Sequence, residues 1–364
     1  MGGFGLKCMK FFPKIIMSLI RKRKLTKNQT RQIQKNQETI IDDGTFATGV
    51  VVSHFGKQLD VQITALPDIM PQTALALGQI WRCHVRTNLP MLTTGDTVKF
   101  SIDDVAGTGR IEQLLPRTTL ITRPDRYHKV KPVASNVAIL AIIFAPLPKP
   151  ATGLIDRYIL VARLAGVTPL LVLNKADLLD EHPDVVQIYQ EYQALGERYG
   201  FDVVQSSSMN RTGLDTLISH ITGRLAIFAG QSGVGKSSLI NQILPHAEQS
   251  TNIISVGSQL GQHTTTTSRL LAYDVGDLTQ GGIIDTPGIR EYGIWHLSAD
   301  DILKGFDELN DLHGTCQFRD CSHAPNAKGC AFWQAVTDGA VLSRRVESFN
   351  ELVAEAKQGA SVIK

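Results

Sequence analysis

No stretch of the 364 residues is apolar for long enough to cross a bilayer. The nearest approach, residues 11–20, is too short, follows Lys10 and is broken by Lys14. No small-residue cleavage site comes after it, and Leu6 stands where an N-terminal acylation motif needs Ser or Thr. Neither a membrane anchor nor a secretion signal is expected, and the expected compartment is the cytoplasm. Cysteine is scarce: there are five, an odd number, and three of them crowd into residues 316–330 beside a histidine. That grouping points to metal rather than a disulfide framework, and so to a reducing compartment, with Cys8 and Cys83 as ordinary thiols. Acidic residues are missing from residues 1–37, which hold ten of the 37 Lys and Arg, so the rest of the chain sets 34 acidic side chains against 27 basic ones. A net charge of +3 therefore hides a basic arm on an acidic body.

Within that arm, Arg21, Lys22, Arg23, Lys24, Lys27, Arg31 and Lys35 suit counterion release from a polyanion. A solvated, disordered terminus explains the same residues equally well. The chain's length suggests two or three units, and its hydrophobic fraction of 43% can furnish their cores. Segments 46–53, 58–64, 79–86, 97–102 and 109–114 are short, β-branched or apolar, and punctuated by Gly56, Gly78, Gly95, Asp96 and Gly107. Five such strands predict a small β-barrel of OB type, although periodicity does not separate it from an SH3-like one.

From Asn136 the rhythm changes. Strands are expected at 137–145, 169–173, 201–205 and 225–229, and helices at 154–164, 185–199 and 214–221. The alternation predicts a doubly wound α/β sheet, with ligand loops at the C-terminal ends of its strands.

The chemistry sits on those loops. Gly230-Gln231-Ser232-Gly233-Val234-Gly235-Lys236-Ser237 follows one strand and opens a helix at Ser238. Its glycines let backbone N–H groups converge on phosphates, Lys236 can reach the β- and γ-phosphates, and the Ser237 hydroxyl can ligate Mg²⁺. Asp285-Thr286-Pro287-Gly288 ends an apolar segment, so Asp285 can hold Mg²⁺ through water and the Gly288 N–H can bond a γ-phosphate. Asn174-Lys175-Ala176-Asp177 closes an earlier strand. A carboxylate at Asp177 can accept from guanine N1–H and N2–H₂, which adenine does not offer, and if buried it rejects ATP. Ser206-Ser207-Ser208, ending the next strand, stands where a short polar loop supports the base edge. Between the phosphate motifs lies Gly261-Gln262-His263-Thr264-Thr265-Thr266-Thr267, a polar segment of the kind used as a switch, with Thr265 or Thr266 expected on Mg²⁺. Cys316, Cys321, His323 and Cys330 supply three thiolates and an imidazole, a closed tetrahedral set for one structural Zn²⁺.

The order of these motifs, with Asn174 to Asp177 and Ser206 to Ser208 ahead of the phosphate loop, resembles the circularly permuted GTPases. With the OB-like barrel and the Cys-x₄-Cys-x-His module, the chain is similar to the RsgA (YjeQ) family of small-ribosomal-subunit biogenesis GTPases. Phe228 to Ser238 and Gly261 to Thr266 carry the family's own phrases, which places Ser238 in the nucleotide set too. The resemblance implies a circularly permuted α/β P-loop GTPase domain at 119–297, behind a basic arm at 1–40 and an OB-like barrel at 41–118, and ahead of a helical zinc-binding domain at 298–364. It also implies weak GTP hydrolysis, faster on the 30S subunit, contact with 16S rRNA through barrel and zinc module, and a monomer away from membranes. The first sixteen residues fall outside that pattern, and Met17 is a candidate start.

Many small GTPases place a water-orienting glutamine directly after Asp-x-x-Gly, and here that position is Ile289. An apolar side chain does not orient water, so low intrinsic turnover is expected. His263 is the candidate for the missing group, its alternative being local packing. Two other classes compete with the GTPase: a P-loop ATPase on nucleic acid, opposed by the Asn174 to Asp177 motif, and a non-hydrolysing RNA-binding adaptor, opposed by the Lys236, Ser237 and Asp285 set.

Overall fold

Alternation in the first third of the chain produces strands with one buried face. In β4 (Thr97–Asp103), Val98 and Phe100 point inward while Thr97 and Lys99 face out. The computed structural model describes residues 43–56, 58–124, 129–245, 268–274, 276–286 and 292–361. β1 (Ala47–Phe55) pairs antiparallel with both β2 (Gln58–Ala65) and β4. β2 pairs with β3 (Ile80–Val85), and β4 with β5 (Thr108–Leu114), while β3 and β5 run parallel. The ladder thus closes in the order β1-β2-β3-β5-β4, the five-stranded OB arrangement, and resolves the choice that periodicity left open. Val51, Val61, Ile63, Trp81, Phe100 and Ile111 fill its interior. Burial of each contributes about 1.5–3 kcal/mol.

A hairpin that the sequence reading did not foresee, β6 (Leu120–Pro124) with β7 (Val130–Ser135), leads out of the barrel. Next comes a sheet of β8 (Ile139–Phe144), β9 (Thr168–Leu173), β10 (Asp202–Gln205), β11 (Arg224–Gly230), β12 (Arg269–Asp274) and β13 (Asp277–Asp285). Its order is β10-β9-β8-β11-β13-β12, parallel except for β12 at one side. Every residue of β8 is buried because helices cover both faces. Leu140, Ile142 and Phe144 meet α1 (Thr152–Ala165) and α2 (Pro183–Tyr199) on one side. Ile139, Ala141 and Ile143 meet α3 (Leu214–Ile221) and α4 (Lys236–Ile243) on the other. β11 lies between β8, which precedes it in the chain by a long interval, and β13, which follows it. That reversal of strand order opens a crevice at the strand C-termini, where ligands bind in such sheets.

Beyond the sheet are α5 (Ala299–Leu303), α6 (Asp307–Asn310), α7 (Ala331–Thr337) and α8 (Ser343–Ser361). Ser298 and Asp301 cap α5 reciprocally. Phe306, Leu309, Phe332 and Phe349 continue the core on the α1 side of the sheet. Arg345 is buried between Asp156 of α1 and Glu308 of α6, 2.5 Å from each carboxylate, with its guanidinium 4.4 Å from the Phe306 ring centre. Arg163 to Asp307 and Arg344 to Glu191, both at 2.7 Å, and Arg157 to Glu355 tie the same helices together. Among the described residues no helix is long and apolar enough to cross a membrane.

Candidate functional site

The phosphate loop leaves β11 at Gly230 and enters α4 at Lys236. Gly235 sits at φ 94°, and a Cβ there would lie 2.4 Å from Nδ2 of Asn174, so only glycine lets the loop meet the distant Asn174 motif. The Lys236 ammonium folds over the loop and donates to the carbonyls of Gly230 at 2.8 Å and Gln231 at 2.6 Å. Ser237 and Ser238 are exposed at the first turn of α4, whose N-terminus favours anions. Lys236, Ser237, Asp285 and Thr286 line one cleft of about 360 Å³ with Phe228 and Tyr158. Gln231 stands at its edge beside a second hollow under α1, while Ser232 and Gly233 are exposed and Val234 packs into the core.

Asn174, Lys175, Ala176 and Asp177 follow β9 across the same crevice. Buried Asn174 donates its amide to the Val234 carbonyl at 2.8 Å. Lys175, in a left-handed conformation at φ 58°, spans the loops and donates to the carbonyls of Leu147 at 2.7 Å and Gly233 at 2.8 Å. Ala176 N–H bonds the Ser206 carbonyl at 3.1 Å, and the buried Ser207 hydroxyl donates to the Asp177 carboxylate at 2.5 Å. Gln242 of α4 donates to the Ser208 carbonyl, binding the third loop to the helix of the first. Asn174 Oδ1 and Ser206 Oγ are buried without a protein hydrogen-bond partner. Such atoms mark a place for further donors and acceptors.

The burial on which rejection of ATP was made conditional is not found at Asp177. Asp177 is exposed, in a 3₁₀ turn, Ala176–Glu181, none of whose residues is buried. The Ser207 hydroxyl, not burial, fixes the direction of this carboxylate. His263, Thr265, Thr266 and Gly288 lie outside the described residues. Sequence reasoning missed Leu147 and Tyr158. The available signal was that β8, like β9 and β11, must carry a ligand loop at its C-terminal end, but only the sheet order puts that loop beside Gly233.

Cys316, Cys321, His323 and Cys330 converge, with all four donor atoms within 4.8 Å of one another. His323 Nδ1 is 3.7 Å from the Cys316 sulfur and 3.5 Å from that of Cys330. A tetrahedral zinc with bonds of about 2.3 Å to S and 2.0 Å to N has S···N edges of about 3.5 Å, so the donor set fits that ion. Burial lowers the His323 pKa, aided by His313, and leaves the neutral imidazole that a metal needs. Burial also pushes the Cys330 thiol up to about 11, with Cys321 and Cys316 adding to the effect, so the Cys330 thiolate forms at neutral pH only against a cation. The His323 ring stacks on Phe332 at 4.0 Å, and its carbonyl accepts from Trp333 Nε1 at 2.9 Å and Asn350 Nδ2 at 2.7 Å. These contacts fasten the metal-site loop to α7 and α8.

Comparison with known proteins agrees with this geometry. A family profile described as RsgA GTPase matches residues 114–295. The small ribosomal subunit biogenesis GTPase RsgA of Pseudomonas savastanoi pv. phaseolicola is 44% identical over 319 residues, 87% of this chain and 88% of that protein. The protein of the same name from Alcanivorax borkumensis is 40% identical and covers 91% of this chain and 95% of its own. Among solved structures, YjeQ from Thermotoga maritima superposes with a TM-score of 0.63 at 26% identity, covering 85% of this chain and 98% of that one. The circularly permuted GTPase YloQ shares the fold, with a TM-score of 0.62 at 24% identity over 86% of this chain and 96% of its own.

Proposed function

On the premise that the chain belongs to the RsgA GTPase family, we propose how its own residues divide the work of that family's reaction. The protein is a GTP hydrolase of small-ribosomal-subunit biogenesis. One observation carries the reading of its site: the Asn174 amide bonded to the Val234 carbonyl, which joins a base-reading loop to a phosphate loop in inverted chain order. Asp177, held by Ser207, reads guanine. The N–H groups of Gly230 to Ser238 and the Lys236 ammonium hold the phosphates. Ser237 and Asp285, two oxygen donors lining one cleft, would hold Mg²⁺ together with Thr265 or Thr266. A Mg²⁺ held there would supply positive charge to offset the negative charge that develops during phosphoryl transfer. Gly288 bonds the γ-phosphate. His263 orients the attacking water in place of the glutamine that Ile289 replaces.

The working partner is the 30S subunit through its 16S rRNA, and the compartment is the cytoplasm. The basic arm of residues 1–40 and the barrel of 41–118 meet the polyanion, the GTPase segment of 119–297 does the chemistry, and a monomer suffices. Turnover measured with and without 30S subunits tests the whole reading. Slow GTP hydrolysis alone and a rise of at least tenfold with subunits are expected. His263→Ala should lower the stimulated kcat by about 10²-fold, the usual worth of a general base, and leave GTP affinity in place. Stimulated kcat unchanged in that variant removes His263 from the reaction.

The Cys₃His site is proposed to hold one structural Zn²⁺, since no donor position stays open for substrate. Elemental analysis should find one zinc per chain. Chelation should loosen α7 and α8 and change the fluorescence of Trp333, whose indole hangs on the His323 carbonyl. Unaltered emission and amide protection after complete metal removal would show that the ion does not support the fold.

A further inference from the structure

The barrel grips the sheet along one hairpin, β12 with β13, and does so at both ends. At the turn, Gly78 of the β2–β3 loop approaches so closely that a Cβ on it would lie 2.2 Å from the Gly276 carbonyl oxygen. At the open end, Ser53 of β1 pairs with Arg269, which stands opposite Asp285. Beside that pair, fully buried Thr94 donates its hydroxyl to the Ser268 carbonyl at 3.3 Å. The Ser268 hydroxyl in turn donates to Thr286 Oγ1 at 2.8 Å. Thr286 directly follows Asp285 and lines the phosphate cleft.

Thr94 is itself held on every side. Its carbonyl accepts from Ser135 N–H at 3.0 Å. Neighbouring Asp96, fully buried, accepts from Arg117 at 2.7 and 2.8 Å, from the Ser135 hydroxyl at 2.6 Å and from Thr93 N–H at 2.7 Å. A Cβ on Gly95 would lie 2.2 Å from the Ser135 carbonyl oxygen, so the turn is pressed against β7 with no slack. Residues 93–96 thus form a rigid prop on the barrel, aimed at the strand end that carries Asp285. A satisfied, buried hydroxyl network of this kind holds geometry well, and small misplacements of reacting groups are costly in rate.

We propose that Thr94 is a positioning residue for GTP hydrolysis: acting from the barrel through Ser268, it holds Thr286 and the Asp285 end of β13 in the geometry the reaction needs. This rests on the GTPase reading above. It also makes the barrel a part of the hydrolytic machinery as well as a surface for the subunit. The test is subunit-stimulated turnover together with nucleotide affinity and thermal midpoint. Thr94→Val, which keeps the shape and loses the hydroxyl, should lower kcat about tenfold, the worth of one hydrogen bond, with GDP affinity within about twofold of wild type. Thr94→Ser should restore kcat. Ser268→Ala should reproduce the loss, and the double variant Thr94→Val with Ser268→Ala should be no slower than either alone, as expected of one chain of contacts. Wild-type kcat in Thr94→Val, no rescue by Thr94→Ser, or kcat, affinity and thermal midpoint falling in parallel would each overturn the proposal. A wild-type protein that fails to hydrolyse GTP at all would remove the GTPase reading itself, a result distinct from these.

Discussion

Asp177→Ala is expected to erase the preference for GTP over ATP. The carboxylate offers two acceptors to guanine N1–H and N2–H₂, and each charge-assisted bond is worth about 1.5–3 kcal/mol. Two such bonds give about 10²–10⁴ in affinity, and the exposure of Asp177 puts the expected loss in the lower half, about 10²–10³-fold. ATP makes neither bond, so its weak binding should be unchanged. Asp177→Asn should be as poor as alanine, because its NH₂ faces one of the guanine donors. Ser207→Ala should cost less, about fivefold, since it frees the carboxylate to rotate without removing it. Competition of GTP and ATP against a fluorescent guanine nucleotide reads all four proteins. An unchanged GTP-to-ATP ratio in Asp177→Ala would mean that the base is read elsewhere.

Arg345→Ala should destabilise the folded chain by about 3–5 kcal/mol, because it strands two buried carboxylates, Asp156 and Glu308, between packed helices. Lysine is not an adequate substitute: one ammonium does not reproduce the fork that bonds Asp156 through Nη1 and Glu308 through Nε and Nη2. Neutralising the whole set with Arg345→Met, Asp156→Asn and Glu308→Gln should recover most of the loss, since the penalty lies in unpaired charge. Urea unfolding followed by far-UV circular dichroism provides the measurement. A single-variant loss below about 1 kcal/mol would mean that water reaches the carboxylates and the cluster is not sealed. Arg344 and Arg345 together fix α8 to the sheet's helices, since their partners Glu191 and Asp156 sit on α2 and α1.

The strands and helices that border the nucleotide crevice were readable because each expresses a local pattern. The apolar run at β8 and the glycine spacing of 230–235 need no partner to be recognised. The hairpin β6–β7 and strand β12 escaped notice because their buried residues do not alternate with exposed ones. The exposure of Asp177 was not legible for a related reason: exposure depends on what covers a turn, and no residue near Asp177 announces that. Arg345 gave no signal, since an arginine beside another arginine reads as a solvated helix face until two carboxylates from other helices close over it.

What local chemistry alone marked out was the catalogue of parts: a glycine-rich loop, the Asn174 to Asp177 segment, four Cys and His donors, a barrel and a sheet, each defined by residues adjacent or periodic in the chain. Which parts touch was decided only by the tertiary fold, because strand order and barrel closure depend on long-range pairing that no window of sequence contains. The joining of Asn174 to Val234, the propping of Thr286 by Thr94 and the sealing of Arg345 all belong to that second class.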